Sequence, residues 1–244
     1  MNKLKQVFKC LAGTPLHPQW LVLRHDRMLL DKIAMRCSGN VLDIGCADRK
    51  LEAMLSNDCQ YIGLDYPDTA NNMYRTKPTV FGDAHTPPFQ DESFDTVVFT
   101  EVLEHLEHAE QAFKAVSSLI RTGGTMHFSM PFMYPIHDAP ADFQRFTAYT
   151  IQRLFKSNSL HIESMQAIGN PVTTALLLLN IALAKTVLLG AKKRHPAILL
   201  ICVMPVLIPL LNLIGWAAEF VLPKDDFMPH NYVIRATKLE PTGI

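Results

Sequence analysis

Between residues 40 and 131 the chain repeats one device, a short apolar run that stops at a small residue or an acid. NVLDIGC (40–46), YIGLDYP (61–67), TVFGDA (79–84) and FDTVVFTE (94–101) are its first four instances. Runs this short and this apolar are the pattern of strands covered on both faces of a sheet. Helical patterns fall between them. LEHLEHAEQAFKAVSSLI (103–120) reads as an amphipathic helix, and DRKLEAML (48–55) is expected to form another. Strands alternating with helices dictate parallel βαβ units. RTGGTMHFSMPF (121–132) supplies a turn and a fifth strand, TAYTIQRLFKSNSL (147–160) a helix, HIESMQAIG (161–169) a sixth strand and NYVIRATKLE (231–240) a seventh. The expected fold class is α/β, a doubly wound, seven-stranded, mostly parallel sheet.

Residues 171–223 break that rhythm. PVTTALLLLNIALAKTVLLG (171–190) and AILLICVMPVLIPLLNLIGWAAEFVLP (197–223) flank the basic AKKRHP, and Glu219 is the only acid in the whole stretch. Length alone would make the second arm a membrane span. Its position between the sixth and seventh strands argues otherwise, because both ends of the pair must return to one side. Lys192, Lys193 and Arg194 would then lie outside, against the positive-inside tendency. Asn180 and Lys185 mar the first arm, and Pro205 and Pro209 interrupt the second. The expectation is a hairpin lying in one leaflet at the inner face of a membrane. A buried lid, a homodimer formed through the hairpin and a two-span hairpin are the alternatives. The chain then divides into an N-terminal helical segment (1–34), a ligand-binding domain (35–170 with 229–240) and an inserted hairpin (171–228). In the first segment Leu4, Val7, Phe8 and Leu11 share helical spacing beside Lys3, Lys5 and Lys9.

Charge is balanced at 23 basic against 23 acidic residues, so nucleic acid is not an expected partner. The five cysteines, Cys10, Cys37, Cys46, Cys59 and Cys202, show no paired or metal-like spacing and read as free thiols of a reducing cytoplasm.

Ligands of an open α/β sheet sit at the carboxyl ends of its strands, and four strand ends here carry chemistry. After the first come Asp43, Gly45 and Ala47, where small residues let the backbone approach a ligand closely. Asp65, followed by Tyr66, lies about twenty residues beyond that turn, where an acid accepts from both hydroxyls of a ribose. Asp83 and Ala84 close the third strand, and Asp83 can meet an adenine amino group. Thr100, Glu101, Glu104 and His105 follow the fourth. A long loop after the fifth strand, PFMYPIHDAPADFQRFT (131–147), gathers Tyr134, His137, Asp142 and Arg145 among stiffening prolines. It is too decorated for a plain connector. His137 can take a hydroxyl proton near neutral pH, or it can cap a loop held shut by Asp142 and Arg145.

Taken in order, VLDIGC, GLD, GDA, FDTVVFTEVLEHL and GGTMHFSMP resemble the class I S-adenosylmethionine-dependent methyltransferases, over residues 35–170 and the last strand. A dinucleotide fingerprint would need glycine where Lys50 stands. The chain departs from the family's D-x-G-x-G-x-G loop with Ala47 and Arg49 at the second and third glycines. The resemblance implies S-adenosylmethionine as cofactor, bound by Asp43, Gly45, Ala47, Asp65, Tyr66, Asp83, Ala84, Thr100 and Glu101. It implies His137, Glu104 and His105 as catalytic groups and Tyr134, Asp142 and Arg145 as acceptor contacts. The 131–147 loop is similar to one in methyltransferases of glycan and lipid pathways, which points to a hydrophobic or lipid-linked acceptor and favours O-methylation. Glu101, Glu104 and His105, with a histidine from the next loop, also resemble the site of certain magnesium-dependent O-methyltransferases. Many family members carry EVLEHL without metal, so no metal ligand is assigned and magnesium stays an optional addition. A catalytically silent binding module and a soluble small-molecule enzyme are the competing readings.

Overall fold

The computed structural model describes residues 10–223 and 225–240. Seven strands form one sheet, in the order β3-β2-β1-β4-β5-β7-β6. They are β1 (Asn40–Ile44), β2 (Gln60–Asp65), β3 (Val80–Phe81), β4 (Phe94–Thr100), β5 (Ile120–Pro131), β6 (Leu160–Ile168) and β7 (Asn231–Lys238). β1 pairs in parallel with β2 and β4, and β4 with β5, while β7 runs antiparallel to β5. The strand order reverses at β1, so the carboxyl ends of β1 and β4 diverge there and open a crevice. The doubly wound expectation holds.

The helices are α1 (Trp20–Ala34), α2 (Ala109–Ser118), α3 (Ala148–Ser157), α4 (Pro171–Lys193) and α5 (Met204–Val221). Against one face of the sheet Phe113 of α2 and Phe155 of α3 meet Phe128 of β5 in tilted and edge-on contacts, with ring centroids 4.9–5.8 Å apart. Each of the three rings is buried. Such aromatic clusters join large apolar area to specific geometry.

Two helices expected from the sequence are shorter than read. DRKLEAML makes only a single 3-10 turn, Glu52–Met54. The reason lies just ahead of it, where Ala47 and Arg49 take left-handed angles (φ 46° and 57°) that no right-handed helix can contain. In 103–120 a 3-10 turn, Leu103–His105, precedes α2, which starts only at Ala109. The expected N-terminal amphipathic helix falls mainly on Lys3–Phe8, outside the described residues.

The chain separates into two compact units. One gathers the described parts of Leu30–Phe132, Ile136–Gln166 and Asn231–Ile244, the other those of Met1–Leu29, Met133–Pro135 and Ala167–His230. The described residues ahead of α1 and its first turns group with the hairpin.

The helical unit hides its polar side chains. Asn180 donates to Asn212 at 2.9 Å, and Asn212 donates to the carbonyls of Pro15 and His17 at 2.7 and 2.9 Å. Thr173 donates to Gly215 O and Asn170 to Ala218 O. Glu219, the only acid of residues 171–223, meets Arg24 and His25 at 3.0 and 2.9 Å. Gly215 lets α1 approach, since a Cβ there would lie 2.8 Å from Leu21. Asn180 thus carries its own partner, and Pro209 sits inside α5 without ending it. The second arm breaks instead at Val203, between a 3-10 segment (Pro196–Cys202) and α5. By length and composition α4 and α5 could each cross a bilayer.

Candidate active site

A cleft of about 380 Å³ opens at the carboxyl ends of β1 to β4. It is lined by Gly45, Ala47, Asp65, Tyr66, Asp83, Ala84 and Glu101 among the expected cofactor residues. Gly45 (φ 70°) must be glycine, since a Cβ would come within 2.4 Å of Val102. Asp65 closes the loop beyond it. Its two carboxylate oxygens accept from Ala47 N–H and Tyr66 N–H, both at 2.8 Å. Burial pushes the Asp65 carboxyl up, against the pull of those two donors. Asp83 accepts from the His85 backbone at 2.8 Å and lies 2.7 Å from its ring. Burial raises that carboxyl too, but the His85 contacts outweigh it and hold Asp83 below the usual range.

Two expected cofactor residues are not in the lining. Thr100 ends β4 without reaching the cleft wall. Asp43 is buried one residue behind it, and its carboxylate accepts from Tyr61 at 2.9 Å. Burial pushes Asp43 up to about 7, partly opposed by that hydroxyl. Arg49 also leaves the cleft clear. Its guanidinium lies over the Tyr61 ring (5.8 Å to the centroid) and donates to Lys77 O and Glu52 at 3.1 and 2.6 Å. Replacement by glycine, Arg49→Gly, should therefore leave cofactor affinity within about twofold by calorimetry, and a tenfold change would put the guanidinium at the ligand.

The second group of residues is assembled by backbone bonds. Phe143 N–H donates to Glu104 O at 2.9 Å, and the Gln144 side chain donates to Leu103 O and Leu106 O at 3.3 and 2.6 Å. The His105 ring bonds to Ala141 O. These ties draw the 136–145 loop onto the 103–106 turn and bring three side chains together. His105 Nε2 and His137 Nε2 lie 3.7 and 3.9 Å from Glu104 Oε1, and the two rings meet edge-on with centroids 4.9 Å apart. Behind His137, its backbone N–H donates to Asp142 at 2.9 Å and its Nδ1 lies 3.4 Å from the same carboxylate. Arg145 grips Asp142 with two nitrogens, at 2.5 and 2.9 Å. That guanidinium pushes Asp142 down to about 2.

Glu104 is the unusual member. It is fully buried, and neither carboxylate oxygen has a hydrogen-bond partner among the described residues. Burial, then the nearby Glu101, pushes its carboxyl well above the usual range. Glu101 itself sits at φ 54° and accepts from Ser129 and Asn231 at 2.6 and 2.8 Å. A strained non-glycine residue pinned by buried donors is a mark of a functional position. Two histidine nitrogens facing a desolvated carboxylate form a donor set suited to a divalent cation, and all three ligand atoms lie within 4.8 Å of one another. The carbonyl on His105 and the carboxylate on His137 are the outer partners such a set uses to fix its tautomers.

Tyr134 belongs to the helical unit, where Gln19 bonds to its hydroxyl and its ring packs with Leu21, Val22 and Leu177. Conversely, the cleft takes up His85, Tyr74 and Phe143, which the sequence reading passed over, together with Asp138, which it had gathered in the 131–147 loop. For His85 a signal exists in its place two residues after Asp83. For Tyr74 there is none, because a π-helical turn, Thr69–Tyr74, sets its direction.

Residues 42–128 match the family model described as a methyltransferase domain. A probable S-adenosylmethionine-dependent methyltransferase of Mycolicibacterium smegmatis is 30% identical over 114 residues, 44% of this chain and 44% of that protein. Sterol 24-C-methyltransferase erg6 of Schizosaccharomyces pombe is 26% identical over 143 residues, 54% of this chain and 38% of that protein. The chain thus spans less than half the length of the curated relatives it matches. Among solved structures, a SAM-dependent methyltransferase from Archaeoglobus fulgidus superposes with a TM-score of 0.53 at 14% identity, over 95% of this chain and 99% of the other. At that identity the likeness carries the fold.

Proposed function

We propose that the chain is a class I S-adenosylmethionine-dependent methyltransferase and that it methylates a hydroxyl of a hydrophobic or lipid-linked acceptor at the inner face of a membrane. The observation that carries this reading is the convergence of His137, His105 and Glu104 beside a cleft lined by Gly45, Asp65 and Asp83. The sulfonium is already an activated methyl donor, so the cofactor supplies the hard chemistry. The protein has to align the acceptor behind the methyl carbon and keep water away. The acceptor oxygen forms its bond to that carbon as the carbon–sulfur bond breaks, leaving a neutral thioether. The hydroxyl proton passes to His137, whose ring Asp142 and Arg145 hold in orientation. A partial relative named a sterol methyltransferase and the apolar hairpin both support a hydrophobic acceptor.

The orphaned carboxylate of Glu104 favours a second reading. Glu104, His105 and His137 would hold a divalent ion, magnesium by the resemblance noted above, which would orient the acceptor's oxygen and lower its pKa.

Incubation with methyl-labelled cofactor and a total lipid extract tests the proposal, and label is expected in a lipid product. Folded protein that binds the cofactor yet labels nothing would sink the acceptor class. Folded protein that gives no heat with S-adenosylmethionine would leave only a silent binding module. Suppression by EDTA and recovery with magnesium would select the metal-assisted reading.

A further inference from the structure

α5 is apolar on its outside and polar on its inside. Val206, Leu210, Leu213, Ala217 and Phe220 follow one another at a spacing that keeps them on a single stripe, and all five are exposed. Val206 and Phe220 are each about 70% exposed (71% and 70%). Ile214 and Val221 flank the stripe on one side and Trp216 on the other, all exposed. Its polar members, Asn212 and Glu219, face the opposite way and are fully engaged by Asn180, Pro15, His17, Arg24 and His25. A helix facing water shows the reverse arrangement. An exposed apolar surface this continuous marks an interaction face.

Charge selects the occupant. Lys192, Lys193 and Arg194 are exposed at the turn between the two arms, and among the described residues no acid pairs with them. We propose that the hairpin docks side-on against an anionic phospholipid surface. The outer stripe of α5 would lie among the upper acyl chains, and Lys192, Lys193 and Arg194 would meet the headgroup phosphates. This deepens, and rests on, the membrane-associated reading above. The position of the basic cluster fixes the orientation. A hairpin entering end-on would carry three cations into hydrocarbon first, each lowering partitioning on the order of 100-fold. Lying flat, the same residues face anionic headgroups and the apolar stripe reaches lipid along its whole length. Trp216 then sits where aromatic side chains concentrate in membrane proteins.

The test uses the full chain with vesicles of phosphatidylcholine alone or mixed with phosphatidylglycerol. Co-sedimentation with the mixed vesicles is expected, and K192Q/K193Q/R194Q should weaken it on the order of 100-fold. Replacing exposed Leu210, Leu213 and Phe220 by Gln should abolish it, with an unchanged circular dichroism spectrum showing that the fold survives. Depth comes from quenching by acyl-brominated lipid of a single tryptophan on the stripe, at position 206 (Trp20→Phe, Trp216→Phe, Val206→Trp) or at position 220 (Trp20→Phe, Trp216→Phe, Phe220→Trp). These positions are about 21 Å apart along the helix, so side-on docking predicts equal quenching. Unequal quenching, or binding indifferent to phosphatidylglycerol, would overturn the proposal while leaving membrane association intact. Protein that binds S-adenosylmethionine but ignores all vesicles would end the membrane reading itself. A stable dimer that excludes vesicles would put a second copy on this face instead.

Discussion

His137→Ala should lower turnover on the order of 10²–10⁴-fold while leaving S-adenosylmethionine affinity nearly unchanged. The separation follows from placement. His137 sits with Glu104 and His105, and it is absent from the residues lining the cofactor cleft. Its removal therefore deletes a proton acceptor or an ion ligand without touching the cofactor's hydrogen bonds. Single-turnover rates on a labelled acceptor and calorimetry with the cofactor check the two halves separately. Unchanged turnover would reduce His137 to a cap on the loop. Asp142→Asn gives the companion result, since its carboxylate is what holds the ring and the His137 backbone. A smaller loss is expected there, because the geometry is loosened while the imidazole remains.

Asp65→Ala should act at the other end of the chemistry, raising the cofactor dissociation constant roughly 100-fold or more. Two contributions combine. The ribose contact expected of Asp65 from its place after β2 would be lost, and each hydrogen bond to a charged acceptor is worth about 1.5–3 kcal/mol. The glycine loop would also lose its clasp, because Ala47 N–H and Tyr66 N–H both end on this carboxylate. Asp65→Asn separates the contributions, as one side-chain oxygen remains to accept. An intermediate affinity is expected from calorimetry. Affinity equal to wild type in Asp65→Ala would move the cofactor out of this cleft altogether.

The strands were legible because buried parallel strands write themselves as uninterrupted apolar runs, and VLDI and TVVF allow little else. Asp65 and Asp83 were legible as cleft-lining residues for a related reason: the end of a strand in an open α/β sheet is a fixed address. Asp43 shows the limit of that rule. It lies inside β1 rather than beyond it, so its carboxylate turns to Tyr61, a contact invisible without the β1–β2 register that sets Asp43 opposite Gly63 and Val41 opposite Tyr61. The missing helix at 48–55 had good propensity. Backbone angles at Ala47 and Arg49 overruled it, and those follow from the ligand loop rather than from local preference. Tyr134 was not legible in its surroundings. It stands three positions from His137, yet the chain changes unit between them.

The place of β7 has a consequence for how the molecule is made. In the sheet it lies between β5 and β6, although the chain reaches it last. During synthesis β6 emerges without a neighbour and stays an open edge while the whole hairpin, Pro171 to Val221, is translated. Only when Asn231–Lys238 leaves the ribosome does the sheet gain its keystone. Such late, long-range pairings are the slow steps of folding, and an unpaired edge is the exposed state from which aggregation starts. The apolar hairpin is therefore made before the sheet is closed. Any truncation ahead of Asn231 would strand β6 and cost the protein its sheet rather than a mere tail.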